Sequence, residues 1–151
     1  MEERLARIHE DFRNGDSPFG VLLVTIDQAT ALRRSHGKSA SEAILESIEK
    51  TISNGLKPAE EICHWGDQDF LILSHERSAA ALTAHGRYLT GLARTADFRW
   101  WGDRISLTVS IGAAQAERDE NFCDLLERAE VAMLASIYAG GNQTTAARGN
   151  V

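Results

Sequence analysis

The 151-residue sequence is short of several things, and each shortage narrows what the chain does. No apolar run approaches the ~18 residues of a membrane-spanning helix. The first residues, Met1-Glu2-Glu3-Arg4, are charged and lack the apolar core of a signal peptide, which points to a cytoplasmic address and no membrane partner. Only two cysteines occur, Cys63 and Cys123, which reads as reduced packing residues rather than a disulfide framework. The five histidines, His9, His36, His64, His75 and His85, are scattered, and none joins a cysteine at zinc-ligand spacing. Formal charge is −6, and lysine and arginine gather on no single segment. Duplex nucleic acid is therefore not an expected partner, because neutralising its phosphates takes clustered cations. No repeat and no composition break divides the chain.

What is present is an ordinary globular balance, 43% hydrophobic and 25% charged, in a length that suits one domain. Leu5, Ile8 and Phe12 space as one face of a short helix over residues 2–14, and Gly15-Asp16-Ser17-Pro18 ends it. The chain thus divides into a lead-in helix (1–16) and a domain (17–151). Phe19 to Ile26 is a nearly continuous apolar, β-branched run, as in a strand covered on both faces. Two helices follow, Gln28 to His36 and Ser39 to Asn54. The second has Ile44, Ile48 and Ile52 in one stripe and Ser39 or Ser41 as candidate caps. Glu61 to Trp65 and Asp69 to Ser74 read as a β-hairpin around Gly66-Asp67-Gln68. Glu76 to Ala96 is an alanine-rich helix, Ile105 to Gly112 a strand, and Phe122 to Ile137 a last helix stopped by Gly140-Gly141. A short edge strand is expected around Thr144 to Ala147. The order is that of an α/β (α+β) layer, one sheet covered by helices.

In that order, the segments His64-Trp65-Gly66-Asp67-Gln68-Asp69-Phe70, Leu107-Thr108-Val109-Ser110-Ile111-Gly112 and Arg128-Ala129-Glu130 with Gly140-Gly141-Asn142 resemble the motifs of the GGDEF family of diguanylate cyclases. Val24-Thr25-Ile26-Asp27 and His36-Gly37-Lys38 fit the same family upstream, and the match is collinear from about Phe19 to Asn142. The resemblance implies a nucleotidyl-cyclase palm-like fold with a mixed, largely antiparallel central sheet. It also implies the condensation of two GTP molecules into cyclic di-GMP across a homodimer. Phosphoryl transfer of that kind needs divalent ions held by hard oxygen ligands.

Against that implied chemistry, the matching positions have drifted. The family's first metal-binding aspartate is Thr25, and its first acidic hairpin residue is Gln68, a neutral amide. Asp69 keeps the final acidic place and Asp27 matches the second aspartate of the family's Asp-Ile-Asp motif, leaving these two as weak metal candidates. Asp67 stands where the family has a glycine, so the motif Gly66, Asp67, Gln68, Asp69, Phe70 is expected to hold no intact catalytic set. The guanine-reading positions are Arg33 and Glu42, which with Gly66 form a weak nucleotide site, and the phosphate-binding cations are replaced by Ile137 and Gly141. Lys57 and Glu60 resemble the family's inhibitory cyclic di-GMP site, with a lysine where the planar guanidinium fork belongs. The same residues also suit plainer roles: a solvated turn for Asp67 and Asp69, a surface pair for Lys57 and Glu60, a solvated helix face for Arg33-Arg34 and a satisfied core position for His64. Of Trp100 and Trp101, one ring is expected to pack on the sheet, and a second, exposed ring would suit a protein contact.

Three readings follow. The first is a catalytically inactive regulatory or interaction module in cyclic di-GMP signalling, needing no cofactor and pairing with itself or a partner protein. The second is a divergent diguanylate cyclase using Mg²⁺ or Mn²⁺ through Asp67 and Asp69. The third is a sensor that binds GTP or cyclic di-GMP without chemistry.

Overall fold

A computed structural model describes residues 17–149 and, ahead of them, residues 3, 4, 6, 7 and 10, which are helical. Leu5, Ile8 and Phe12, which carry the expected lead-in helix, lie outside the described residues. Among the described residues from 17 onward, the strands are β1 (Gly20–Ile26), β2 (Glu61–Trp65), β3 (Asp69–Ser74), β4 (Phe98–Trp100), β5 (Asp103–Ile105), β6 (Val109–Gln115) and β7 (Gln143–Ala146). The helices of that stretch are α1 (Ala29–His36), α2 (Lys38–Ser53), α3 (Ala79–Ala93) and α4 (Phe122–Tyr138). No helix among the described residues is long and apolar enough to cross a membrane.

Five strands form the main sheet in the order β2-β3-β1-β6-β7, antiparallel except where β7 runs parallel to β6. The expected mixed, largely antiparallel sheet is therefore present. β1 lies at its centre and alternates: Leu22, Val24 and Ile26 pack with residues of α1, α2 and α3, whereas Val21 and Leu23 pack with Leu125, Ala129 and Met133 of α4. Side chains two apart share a face of a strand, so one central strand serves both cores and must be apolar throughout. At Gly112 the backbone of β6 meets α4 so closely that an added Cβ would lie 2.1 Å from the Ala129 carbonyl oxygen. That approach explains a glycine inside an otherwise apolar strand.

Several local expectations need correction. α2 starts at Lys38 behind Gly37, with no side-chain cap; Ser41 is buried inside the helix instead. α3 starts at Ala79, where the Ser78 hydroxyl accepts from the Ala81 N–H at 3.1 Å, a cap that shortens the expected helix by three residues at its start. The strand expected over Ile105 to Gly112 is two elements. Ile105 closes a separate two-stranded hairpin, β4–β5, and β6 begins only at Val109. The turn of that hairpin, Trp101-Gly102, has positive φ at both residues, 54° and 86°, as tight hairpins require. Trp100 packs against the core with its ring stacked on Phe98, and Trp101 stands 89% exposed at the tip. Both cysteines are free, but only Cys63 is partly buried; Cys123 is exposed.

Candidate functional site

The C-terminal end of β1 and the tip of the β2–β3 hairpin meet at one edge of the sheet. Register puts Thr25 opposite Asp69 on β3 and opposite Ser110 on β6. The hairpin tip is Gly66-Asp67-Gln68, with Gly66 at φ +69° and open space around it. Thr30 on the first turn of α1 donates its hydroxyl to Gln68 Oε1 at 3.2 Å, so the tip sits over the start of that helix. Burial pushes the Asp69 carboxyl above its ordinary range; a hydrogen bond from Thr25 works against the rise and the negative charge of Glu130 adds to it.

Asp27 does a different job from the one the sequence suggested. Its Oδ1 accepts from the Ser110 hydroxyl at 2.6 Å, and its Oδ2 accepts from the Thr108 hydroxyl at 2.6 Å and the Asn142 N–H at 2.9 Å. Gly141 lies so close that a Cβ there would stand 2.9 Å from the carboxylate, and its φ is +76°. The carboxylate thus ties β1 and β6 to the turn between α4 and β7, and its lone pairs are largely occupied. Among the described residues, no group of three His, Cys, Asp or Glu side chains converges as a metal would require.

The remaining candidates are spread. Arg33 is exposed on α1, and Glu42 is exposed on α2 with Lys38 3.9 Å away one turn earlier. Asp67 is exposed at the hairpin tip, and the Phe70 side chain is fully buried. Lys57 and Glu60 are not a surface pair. Lys57 pairs with Glu76, whereas the Glu60 side chain is only 2% exposed. Glu60 Oε1 accepts from the Lys57 N–H and from His85 Nε2, both at 2.7 Å, and its Oε2 is buried with no hydrogen-bond partner among the described residues. A hollow of about 460 Å³ beside it is lined by Lys57, His75, Glu76 and Arg77 among others. His64, expected in the core, is instead more than half exposed and bonds Glu49 at 3.0 Å.

On the far side of the sheet, Arg128 of α4 grips Glu120 through two nitrogens, Nε to Oε2 at 2.9 Å and Nη2 to Oε1 at 2.5 Å, and also donates to the Gln115 carbonyl. The Glu120 side chain is fully buried. Its acidic partner lies eight residues upstream and outside the helix, which is why spacing within the helix gave no hint of it. Arg128 and the Ser110–Gly112 stretch, two of the motifs read from the sequence, thus take part in packing on the α4 side of β6.

The family description "Diguanylate cyclase, GGDEF domain" matches residues 1–143. The chain belongs to the GGDEF family. Diguanylate cyclase A of Treponema denticola is 25% identical over 132 residues, covering 87% of this chain and 36% of that protein. The chain therefore spans about a third of that relative's length. Among solved structures, the fold is similar to the GGDEF domain of DgcB from Caulobacter crescentus in complex with c-di-GMP, with a TM-score of 0.88 and 19% identity over 96% of this chain and 86% of that one. It is equally similar to diguanylate cyclase SiaD of Pseudomonas aeruginosa in complex with its activator SiaC, with a TM-score of 0.88 and 20% identity over 96% of this chain and 56% of that one. In this GGDEF chain the hairpin and the end of β1 lie side by side at one edge of the sheet, with Thr25 opposite Asp69.

Proposed function

We propose that this GGDEF domain makes no cyclic di-GMP and serves as an interaction module in cyclic di-GMP signalling. The observation that carries the reading is the Thr25–Asp69 pair, a hydroxyl facing a single half-buried carboxyl where metal-dependent phosphoryl transfer needs several carboxylates. The donor set does not fit a pair of divalent ions. Gln68 offers an amide that already accepts from Thr30, and Asp27 is committed to Ser110, Thr108 and Asn142. Glu130 adds negative charge near Asp69, and the position the resemblance gives to a phosphate-binding lysine is the exposed Ile137. A triphosphate would meet like charge and apolar surface there, and each absent charge-assisted bond is worth ~1.5–3 kcal/mol. Homodimer formation and a cytoplasmic address belong to the same proposal.

One observation favours the sensor reading. The unpartnered Oε2 of Glu60 lies by a hollow with Lys57 and Arg77, and the similar DgcB domain was solved with c-di-GMP. Thermal unfolding with GTP and with cyclic di-GMP, each with and without Mg²⁺, separates the possibilities. A ligand at ~100 times its dissociation constant adds ~2.7 kcal/mol of stability. The module reading expects no shift with either ligand at millimolar concentration. A Mg²⁺-dependent shift with GTP would revive the divergent cyclase. A shift with cyclic di-GMP that Lys57→Ala abolishes would establish the sensor.

A further inference from the structure

Among the described residues, one face of α4 is left without a covering element. Glu127, Val131, Leu134 and Tyr138 follow each other at i, i+4, i+7 and i+11, the spacing of a single helical stripe. Val131 is 62% exposed, Tyr138 84%, and Leu134 and the flanking Ile137 39% each. Isolated exposed apolar residues are ordinary, but a contiguous set on one helix marks an interaction surface. Beside the stripe runs a groove of about 480 Å³ between α4 and β7, its floor including Ala132, Ala135 and Thr145.

The exposed charge on α4 itself has one sign: Asp124, Glu127 and Glu130 are all exposed, and its single cation, Arg128, is folded onto the buried Glu120. The one further cation at the groove, the exposed Arg148, stands on the opposite wall beyond β7. From this we infer that the outer face of α4, with the groove beside it, docks a cationic amphipathic helix of a partner protein, its apolar residues on Val131, Leu134 and Tyr138 and its Lys or Arg side chains on Glu127 and Glu130. Helix-in-groove recognition uses such i, i+4, i+7 anchors, and opposite potential on the two partners guides and registers the contact. The carboxylates argue against anionic occupants, nucleic acid and acidic lipid alike. They also weigh against a second copy, since a two-fold contact centred on this stripe would gather Asp124, Glu127 and Glu130 of both copies in one interface. The inference rests on the interaction-module reading and supplies the chemistry of its partner.

The test is a titration of the isotope-labelled domain with a synthetic peptide of about 14 residues, four helical turns, bearing leucines on one face and lysines on its flanks. A matched peptide with glutamates for the lysines is the control. Amide shifts are expected on α4 and β7, with binding that weakens about tenfold as salt rises from low to high concentration. Glu127→Lys with Glu130→Lys should weaken binding at least about tenfold, and Leu134→Asp should abolish it. These side chains are exposed, so unfolding curves of the variants should stay within a few degrees of the parent. Equal binding of the glutamate peptide, shifts on other faces, or indifference to the charge reversal would overturn the inference. So would self-association of the domain that Leu134→Asp removes. The same samples titrated with GTP and Mg²⁺ keep the two failures apart: nucleotide binding defeats the module reading, whereas its absence together with an unmapped peptide defeats the docking site alone.

Discussion

At the scale of residues, two aspartates on neighbouring strands, Asp27 just past β1 and Asp69 on β3, have opposite fates. Asp27 receives three donors, two of them hydroxyls of β6 and its approach and one the N–H that opens the β7 turn. Hydrogen bonds to a charged acceptor are the strong ones, so Asp27→Ala should cost about 2–4 kcal/mol of folding stability, read as a lower denaturant midpoint with unchanged slope. A loss under ~0.5 kcal/mol would return Asp27 to the status of a free ligand. Asp69 is held protonated more readily than an ordinary aspartate, chiefly by burial. Its folded-state value lies above its unfolded one, so the folded protein binds the extra proton and stability falls as pH rises through that interval. Asp69→Asn removes the titration. The variant should gain stability over the parent at pH 7 and lose that gain toward pH 3, measured by thermal unfolding across the range. A constant difference at all pH values would mean that Asp69 is not perturbed.

At the scale of elements, the long periodic pieces were legible in the sequence and the short ones were not. The Ile44, Ile48, Ile52 stripe and the unbroken β1 run carry enough repeats to identify a helix and a core strand, and both form. Ile105 to Gly112 alternates like one strand, yet Thr108 is drawn out of it: its N–H and hydroxyl bond Gln28 and its hydroxyl also bonds Asp27. Contacts eighty residues apart decide that break, and no local pattern reports them. The β4–β5 hairpin was missed because Trp101, an aromatic residue at positive φ, stands where a glycine or asparagine would have signalled the turn. The buried Glu60 was read as a surface charge for the same reason, its partner His85 being twenty-five residues away on α3. The α4–β6 contact offers two checks. Gly112→Ala should cost about 1–3 kcal/mol, because the backbone of α4 must move away, and Arg128→Ala about 3–5 kcal/mol, because Glu120 is left charged and buried. If both variants unfolded at the parent's denaturant midpoint, this packing scheme would be wrong.

At the scale of the whole molecule, the GGDEF architecture is kept, and the proposal that it no longer works as a cyclase rests on the groups at the sheet edge. The mixed, largely antiparallel sheet and the hairpin were foreseeable from collinear motifs, and the family membership now stands on residues 1–143. The candidate site was legible only as a set of positions. Which of its carboxylates is occupied by other donors, and which sits beside another negative charge, depends on register and burial. Among the described residues, the exposed apolar stripe of α4 is the surface on which the proposed interaction role would act.

The most direct measurement is a product assay, with the domain at high concentration incubated with GTP and either Mg²⁺ or Mn²⁺ and cyclic di-GMP quantified by mass spectrometry, alongside Asp69→Ala. Equal, background-level product from both proteins is the outcome that the proposed loss of catalysis predicts. Product from the parent that Asp69→Ala abolishes would contradict it and make this chain a working cyclase.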